Sequence, residues 1–494
     1  MPRPPRLRTE DDYRNHTPVH VVWEITLACN LKCQHCGSRA GKPRNDELTT
    51  QECLETVDHL AKLGTREITL IGGEAYLRQD WTEIIRAIRS HNIYCAIQTG
   101  ARNFTQSKLE EAVAAGLQGI GVSIDGLPEL HDRLRGVPGS YQMAIDALGR
   151  AKAAGLNRSV NTQIGPETIP MLRQLMHKII DAGAQQWQLQ LTVAMGNAVD
   201  NEHLILQPYQ LLELMPLLAQ LFDEAYDNGL TIIAGNNIGY FGPYEHKFRS
   251  PSDHHWSGCS AGQTAIGLEA DGTVKGCPSL PTIGYAGGNV RDLSLEDIWN
   301  TSKEIHFGRL RSIDDLWGFC RNCYYAEVCR GGCTWTSHSL LGLPGNNPYC
   351  HYRVLELEKQ GLRERVRKVK EAGPTAFAIG QFELTLEPIP GCEQSSQSGG
   401  DKIPKLRITQ PVINSSEIKT IKDDANQGGR VPPKLEKCKA CNQFIWNHEE
   451  VCPHCHTDVK EANARYEEDR ERWEDLMEKI QSIIGNKPLI NTDR

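Results

Sequence analysis

The sequence predicts an α/β protein: a partial barrel of parallel strands covered by helices, followed by a region held together by bound metal. Three observations predict it. Short β-rich runs alternate with helical segments through residues 20–200. Three cysteines in "ACNLKCQHCG" (28–37) follow the first of those runs directly. The chain of 494 residues also carries 17 cysteines, most of them in tight groups.

The elements come in a regular order. "VVWEITL" (21–27) reads as a strand, and "TQECLETVDHLAKLG" (50–64) as a helix with Leu54, Val57, Leu60 and Leu63 at helical spacing, stopped at Gly64. Next come "REITLIGG" (66–73), a helix from Trp81, "IYCAIQTG" (93–100), a helix from Thr105, and "GIGVSIDG" (119–126). A helix from Tyr141 leads to "RSVNTQIG" (158–165), and one from Ile169 leads to "QWQLQLT" (186–192). "LQPYQLLELMPLLAQLF" then precedes "LTIIAGN". Strands that alternate with helices make a parallel sheet with covered faces. About six such units, fewer than a closed eight-fold barrel needs, predict a partial (β/α)6 barrel of the TIM type. Chemistry in such folds sits in the loops at the strand C-terminal ends, where residues 28–37 fall.

Beyond the barrel the pattern changes. From about 255 to 355 helical periodicity fades and Gly and Cys become dense. Residues 386–433 are rich in Pro, Gly, Ser and Gln and read as a linker. "CKACNQFIWNHEEVCPHC" (438–455) is a pair of CxxC knuckles ten residues apart, followed by a charged helix at about 457–484. On that helix Tyr466, Trp473, Leu476, Ile480 and Ile483 form one stripe, expected to pack on the knuckles. The expected partition is an N-terminal extension (1–20), the barrel (21–240), a Cys-rich domain (241–360), a strand-containing segment and linker (361–433), and a zinc-ribbon-like module with its helix (434–494).

Composition narrows the function. A net charge of −8 argues against bulk nucleic-acid binding. The first residues, "MPRPPRLRTEDDYRNH", lack the apolar run of a secretory signal, and no stretch is long and apolar enough to span a bilayer. Cysteines this close together converge on one metal more readily than on each other, so a reducing cytoplasm with several metal sites is expected. Cys438, Cys441, Cys452 and Cys455 suit one tetrahedral Zn2+, or an iron in its place. Cys53 and Cys95 fall on apolar sides of predicted elements, and Cys392 falls in the linker. Cys29, Cys33 and Cys36 offer three thiolates where a closed structural site takes four ligands. Either His35 completes a zinc site, or the fourth position belongs to something else.

The spacing C-x3-C-x2-C after a first barrel strand resembles the signature of radical S-adenosylmethionine (radical SAM) enzymes. That resemblance implies that Cys29, Cys33 and Cys36 hold three irons of a [4Fe–4S] cluster, whose fourth iron takes the amino and carboxylate groups of SAM. An electron from the cluster then releases a 5′-deoxyadenosyl radical that abstracts a hydrogen atom. "IGGEA" (71–75) resembles the family's GGE motif, which implies that Gly72, Gly73 and Glu74 meet the SAM amino group; the family usually has Pro where Ala75 stands. The resemblance also implies that Ser123 and Asp125 in "VSIDG" contact SAM and that Arg135 in "HDRLRG" is a candidate for its carboxylate, with Gln98 expected as a further contact at a strand end of the same layer. Thr99 lies in the same layer.

The second cysteine set runs Cys259, Cys277, Cys320, Cys323, Cys329, Cys333 and Cys350. It resembles the seven-cysteine pattern of the SPASM extension found on radical SAM maturases of peptides and proteins. The resemblance implies two auxiliary [4Fe–4S] clusters: Cys259, Cys277 and Cys333 on the first, and Cys320, Cys323, Cys329 and Cys350 on the second. Fully ligated members carry an eighth Cys shortly before the position of Cys259. Here "SDHHWSG" (252–258) has none, so either Asp253, His254 or His255 completes the first cluster or one iron is open.

The expected activity is therefore modification of a ribosomally made precursor peptide: cross-linking, epimerisation, or backbone splicing such as tyramine excision to a β-amino acid. The look of the chain leans towards maturases of nitrile-hydratase-like or nitrogenase-associated leader peptides. The short segment before the first strand leaves no room for a leader-binding winged helix. A separate small leader-binding protein is expected, or the C-terminal ribbon in that role, together with a reductant such as flavodoxin or ferredoxin. The competing readings are a sulfatase-type or cofactor-forming radical SAM maturase, and a non-catalytic iron–sulfur and zinc scaffold. Pro278 directly after Cys277 stands against the sulfatase type, which places a catalytic acid nearby.

Overall fold

The computed structural model describes residues 5–249, 255–391, 406–407 and 434–484. The chain forms two units, one of residues 1–240 and 256–412, the other of residues 241–255 and 413–494.

The first unit is built on one sheet. Strands β1 (His20–Glu24), β2 (Glu67–Ile71), β3 (Tyr94–Thr99), β4 (Gly119–Ser123), β5 (Asn157–Ile164), β6 (Gln186–Leu191) and β7 (Thr231–Ala234) lie side by side in chain order, every neighbouring pair parallel. Helices form the crossovers for reasons visible in each. The helix Thr50–Lys62 opens with a capping box, in which Thr49 accepts from the Glu52 amide and Glu52 accepts from the Thr49 amide. It buries Cys53, Thr56, Val57 and Leu60 at i, i+3, i+4, i+7 spacing. β3 alternates half-buried and buried residues, so Cys95 lands in the core. Cys53 and Cys95 are thus the core residues expected.

One difference from the sequence reading concerns the Cys-rich region. Strand β8 (Ala265–Leu268) pairs parallel with β1 on the side away from β2, and β9 (Thr273–Lys275) and β10 (Ala286–Asn289) add antiparallel. The sheet therefore has ten strands in the order β10-β9-β8-β1-β2-β3-β4-β5-β6-β7, with β1 inside it. β8 and β9 turn at Asp271–Gly272, where Gly272 has φ +88° and its amide donates to the Glu269 carbonyl at 3.0 Å. The strands are only three and four residues long, too short to show a period among the glycines.

A second sheet follows from β11 (Leu362–Lys370), β12 (Gln381–Pro388) and β13 (Leu406–Arg407), all antiparallel. Ahead of β1, a short helix Glu10–Arg14 docks through Asp12, which accepts from Arg66 at 2.8 Å.

In the second unit β14 (Leu435–Lys437) pairs antiparallel with β15 (Phe444–Trp446), and the helix Val459–Ile484 follows. Cys438, Ile445, Cys452 and Val459 make a small core with Cys441 and Cys455 against it. The expectation that the apolar stripe packs on the knuckles holds at Tyr466, whose ring lies 4.4 Å from Lys439 Nζ, and fails at Trp473 and Leu476. Val459 and Ala462 are buried, but Tyr466, Trp473 and Leu476 are 45%, 51% and 53% exposed. The reason is length: 26 residues of helix extend about 39 Å, while each ribbon strand has three residues. Among the described residues, no helix is long and apolar enough to cross a membrane.

Candidate functional site

The cysteine loop at the C-terminal end of β1 is pinned from every side. The Cys29 amide donates to the Gly41 carbonyl at 3.0 Å, and the Gly41 amide to Leu27 at 2.9 Å. The Lys32 and Gln34 amides reach the carbonyls that end the helix Pro128–Arg135, Arg135 at 3.0 Å and Leu134 at 2.8 Å. Beyond β6, the Asn197 amide donates to the Cys36 carbonyl at 3.0 Å and its side chain to the Cys33 carbonyl at 2.9 Å.

Donors also converge on the sulfurs. The Leu31 amide lies 3.4 Å from Cys29 Sγ, the Ala40 amide 3.4 Å from Cys36 Sγ, and the Arg135 guanidinium 3.6 Å from Cys33 Sγ. Burial pushes the Cys29 thiol up to about 12 and the Cys33 thiol up to about 11, so metal must displace their protons. Three thiols met by three donors suit a sulfur-ligated anionic group, since hydrogen bonds to sulfur are one of the levers that set cluster potential. His35 turns one ring nitrogen to a carboxylate rather than to the thiols. Its ring is buried with Nε2 3.1 Å from Asp125 Oδ2.

The GGE segment packs directly under this loop. A Cβ on Gly72 would stand 2.3 Å from the Thr26 carbonyl oxygen, and one on Gly73 2.3 Å from that of Ala28 and 2.7 Å from Cys29 Cβ. The glycines are needed for that close approach, as the Gly73 amide donates to Thr26 O at 2.9 Å and the Glu74 amide to Ala28 O at 2.8 Å. Glu74 is 1% exposed. Its carboxylate accepts from the Thr99 hydroxyl and, at 2.6 Å, from the Gly100 amide. Burial pushes the carboxyl up to about 7 against those bonds. Ala75 starts a short 3-10 turn, Ala75–Leu77, so the segment keeps its turn without proline.

Gln98 and Ser123 hydrogen-bond to each other at 3.2 Å across neighbouring strands. Asp125 is buried between Arg135 at 2.6 Å and His35. Burial opposes its charge, but Arg135, followed by His35, holds its carboxyl far below the usual carboxylate range. Arg135 therefore spans Asp125 and the Cys33 sulfur. An open cleft of about 500 Å3 adjoins the loop, with Cys29, Asn30, Lys32, Arg102 and Asn197 on its walls.

The seven later cysteines interact in two sets. After burial as the larger cause, Cys333 and Cys277 raise the Cys259 thiol, and Cys333 raises the Cys277 thiol. Cys329 interacts in the same way with Cys350, Cys320 and Cys323. The Ala261 amide donates to Cys259 Sγ at 3.4 Å and the Tyr325 amide to Cys323 Sγ at 3.4 Å. Of the residues expected to complete the first group, Asp253 and His254 lie outside the described residues. The His255 ring stacks on Phe241, with centroids 6.0 Å apart, and meets the Phe444 ring at 5.2 Å.

The ribbon sulfurs lie closer together than those of the other groups. Cys438, Cys441, Cys452 and Cys455 place their sulfurs within 4.8 Å of one another, with Cys438–Cys455 at 3.9 Å and Cys441–Cys452 at 3.8 Å. Four sulfurs about 2.3 Å from one tetrahedral ion sit about 3.8 Å apart, so the spacing fits one ion. Burial favours the neutral Cys455 thiol, but hydrogen bonding with Thr457 and the neighbouring thiols bring it to about 7.

The sequence reading missed several residues. Gly196 and Asn197 cradle the Cys36 end of the loop, and a Cβ on Gly196 would stand 2.4 Å from the Cys36 carbonyl oxygen. "GN" just past a strand end is a weak signal that was available. Arg311 is also new. It is buried and donates to the Thr334 hydroxyl at 2.9 Å next to Cys333. Tyr285 lies near it, 3.1 Å from His338 Nδ1. No local spacing announces either residue.

Comparison with known proteins agrees with this arrangement. Residues 23–179 match the radical SAM superfamily and residues 259–324 match the SPASM iron–sulfur cluster-binding domain. The AdoMet-dependent heme synthase of Oleidesulfovibrio alaskensis is 28% identical over 67% of this chain and 87% of its own. The mycofactocin maturase of Mycolicibacterium smegmatis is 26% identical over 79% of this chain and 98% of its own. Among solved structures, Streptococcus suis SuiB bound to S-adenosylmethionine shares the fold at a TM-score of 0.53 and 17% identity, over 70% of this chain and 82% of that one.

Proposed function

We propose that this chain, a radical SAM enzyme that binds S-adenosylmethionine and iron–sulfur clusters through its radical SAM and SPASM domains, modifies a ribosomally made precursor peptide. The observation that carries the reading is the pairing of the pinned three-thiol loop with two further thiol groups in one unit. A mycofactocin maturase is similar over 98% of its length, and SuiB has been solved with its precursor peptide SuiA.

In this reading Cys29, Cys33 and Cys36 hold a [4Fe–4S] cluster. When bound, that cluster supplies the electron that cleaves SAM and starts hydrogen abstraction. The chain's own residues prepare the place for it. Glu74, fixed by Thr99 and Gly100, presents a buried carboxylate to the SAM amino group. Gly72 and Gly73 let that segment lie against the cysteine loop. Gln98 and Ser123 lock each other at the strand ends and offer polar atoms to SAM. Arg135, anchored by Asp125, holds positive charge beside Cys33 and would meet the SAM carboxylate there.

The two SPASM groups hold one auxiliary [4Fe–4S] cluster each. Cys320, Cys323, Cys329 and Cys350 ligate theirs completely. Cys259, Cys277 and Cys333 leave one position for Asp253, His254, His255 or a substrate group. The ribbon holds one Zn2+, and a separate leader-binding protein and a flavodoxin or ferredoxin complete the cytoplasmic system. Tyramine excision is the candidate reaction within the class.

A second reading, formation of a tetrapyrrole cofactor, draws on the similarity to AdoMet-dependent heme synthases. One experiment separates the two. The protein is co-expressed under low oxygen with the short peptides encoded beside its gene, and the peptides are analysed by mass spectrometry. Loss of two hydrogens means cross-linking or oxidation, and loss of a tyramine-sized piece means splicing. Deuterium uptake from heavy water at otherwise unchanged mass means epimerisation. Unmodified peptides with conversion of an added porphyrin precursor favour the second reading.

A further inference from the structure

The helix Val459–Ile484 carries a pattern that neither the ribbon nor the radical chemistry requires. Its apolar residues recur at strict seven-residue intervals. Val459, Tyr466, Trp473 and Ile480 take one seam position; Ala462, Leu476 and Ile483 take the other, with Asp469 between them. This is the a/d pattern of a coiled-coil strand. The ribbon covers only its first two turns: Val459 and Ala462 are buried and Lys439 Nζ lies 4.4 Å from the centre of the Tyr466 ring, while Trp473 and Leu476 stand about half exposed.

Charge is sorted around the seam. The positions that flank it hold Arg465, Arg470, Arg472 and Lys479, and no acid. The outer face holds Glu461, Glu467, Glu468, Glu471, Glu474, Asp475 and Glu478. The flanking cations pair along the helix, Arg470 with Glu467 at 2.7 Å and Lys479 with Asp475 at 2.5 Å. Both pairs are more than half exposed or close to it, and such pairs hold a cation in place only weakly.

A second copy of this chain is a poor occupant. In a parallel pair Arg465 faces Arg470 of the other copy, and Asp469 faces Asp469 across the seam. In an antiparallel pair the flanking cations Arg465, Arg472 and Lys479 face one another. Flanking charges of this kind set partner choice in coiled coils.

We propose that this helix is one strand of a heteromeric coiled coil, and that its occupant is an amphipathic helix of another polypeptide with acidic residues beside its apolar stripe and a cation opposite Asp469. Apolar burial of Tyr466, Trp473 and Leu476 supplies the attraction, and the basic flanks select the partner.

The test uses the full-length protein, purified without oxygen, and two synthetic three-heptad helices with Leu and Ile on the seam and Lys opposite Asp469. One peptide carries Glu at the flanking positions, the other Lys. Fluorescence anisotropy of the labelled peptides reads binding, and light scattering reads the oligomeric state of the protein alone. The Glu peptide should bind at least tenfold tighter than the Lys peptide, less tightly as salt rises, and the Trp473→Glu variant should lose it. SAM cleavage by that variant, altered on an exposed face, should stay at the wild-type rate and report an intact fold. Equal binding of the two peptides, or binding of neither, overturns the proposal. So does self-association of the protein that Trp473→Glu abolishes, which would make a second copy the occupant.

Discussion

Replacing Gly73 with Ala tests whether the GGE segment positions the cysteine loop by contact. The added methyl would lie 2.3 Å from Ala28 O, 2.6 Å from Ala28 C and 2.7 Å from Cys29 Cβ. Non-bonded carbons prefer about 3.5–4.0 Å, so relief needs a shift of about 1 Å. The atoms in the way are backbone and the root of a cluster ligand, with no flexible side chain to swing aside. Overpacking of this kind costs about 1–3 kcal/mol, and a displacement of about 1 Å at a reacting centre costs about 10²-fold in rate. Gly73→Ala is therefore expected to lose about 10²-fold in SAM cleavage, with iron content reduced. Gly149→Ala is the matched control. It sits inside the helix Ser140–Ala153 with nothing within 4 Å of its Cβ, and it should gain up to about 1 kcal/mol of stability with unchanged cleavage. The assays are 5′-deoxyadenosine formation with a chemical reductant, iron per chain, and thermal unfolding. Wild-type cleavage and iron in Gly73→Ala would refute the contact argument.

Three other outcomes follow from the same geometry. The triple variant Cys29→Ala, Cys33→Ala, Cys36→Ala should abolish SAM cleavage while iron bound at the seven later cysteines remains, by Mössbauer spectroscopy and iron analysis; cleavage by that variant would remove the assignment. Cys438→Ser should release the ribbon ion and expose the second unit to protease, because structural zinc contributes about 10 kcal/mol or more of folding free energy; a protease-resistant ribbon without metal would contradict this. Glu24 concerns pH. Burial pushes its carboxyl up to about 7, with Arg44 opposing and Glu269 reinforcing, against about 4.3 when unfolded. Between those values the folded chain holds a proton that the unfolded chain has lost. Stability from this group falls by roughly 3 kcal/mol as pH rises through the window, then levels off. Glu24→Gln removes the penalty, so its melting temperature relative to wild type should climb from pH 5 to pH 8. A constant difference would place the charge elsewhere.

The chemistry of this chain was more legible than its packing. Cys29, Cys33 and Cys36 read directly because their spacing is local and their number is unusual. The ribbon read for the same reason. The β8–β9 hairpin did not, because strands of four and three residues among glycines leave no period to see. Arg311 is invisible in the sequence and Asn197 only faintly marked, because their roles depend on chain segments far apart in sequence: Arg311 reaches Thr334 and Asn197 reaches Cys33. Arg135 and Asp125 read from the sequence as two SAM contacts; the structure adds that they pair with each other at 2.6 Å, a contact no local spacing announces. The stripe on the last helix was seen correctly as a stripe. Its cover was misjudged, since apolar spacing shows that a face wants a partner without showing that the ribbon is too short to be one.

The central claim is that a hydrogen atom leaves a peptide for SAM-derived 5′-deoxyadenosine at the Cys29–Cys33–Cys36 site. The most direct measurement is mass spectrometry of 5′-deoxyadenosine formed with a precursor peptide deuterated at its modified residue. The account predicts deuterium in 5′-deoxyadenosine, dependent on the peptide and absent in the triple cysteine variant. Undeuterated 5′-deoxyadenosine, formed equally with and without every deuterated candidate peptide, would contradict it.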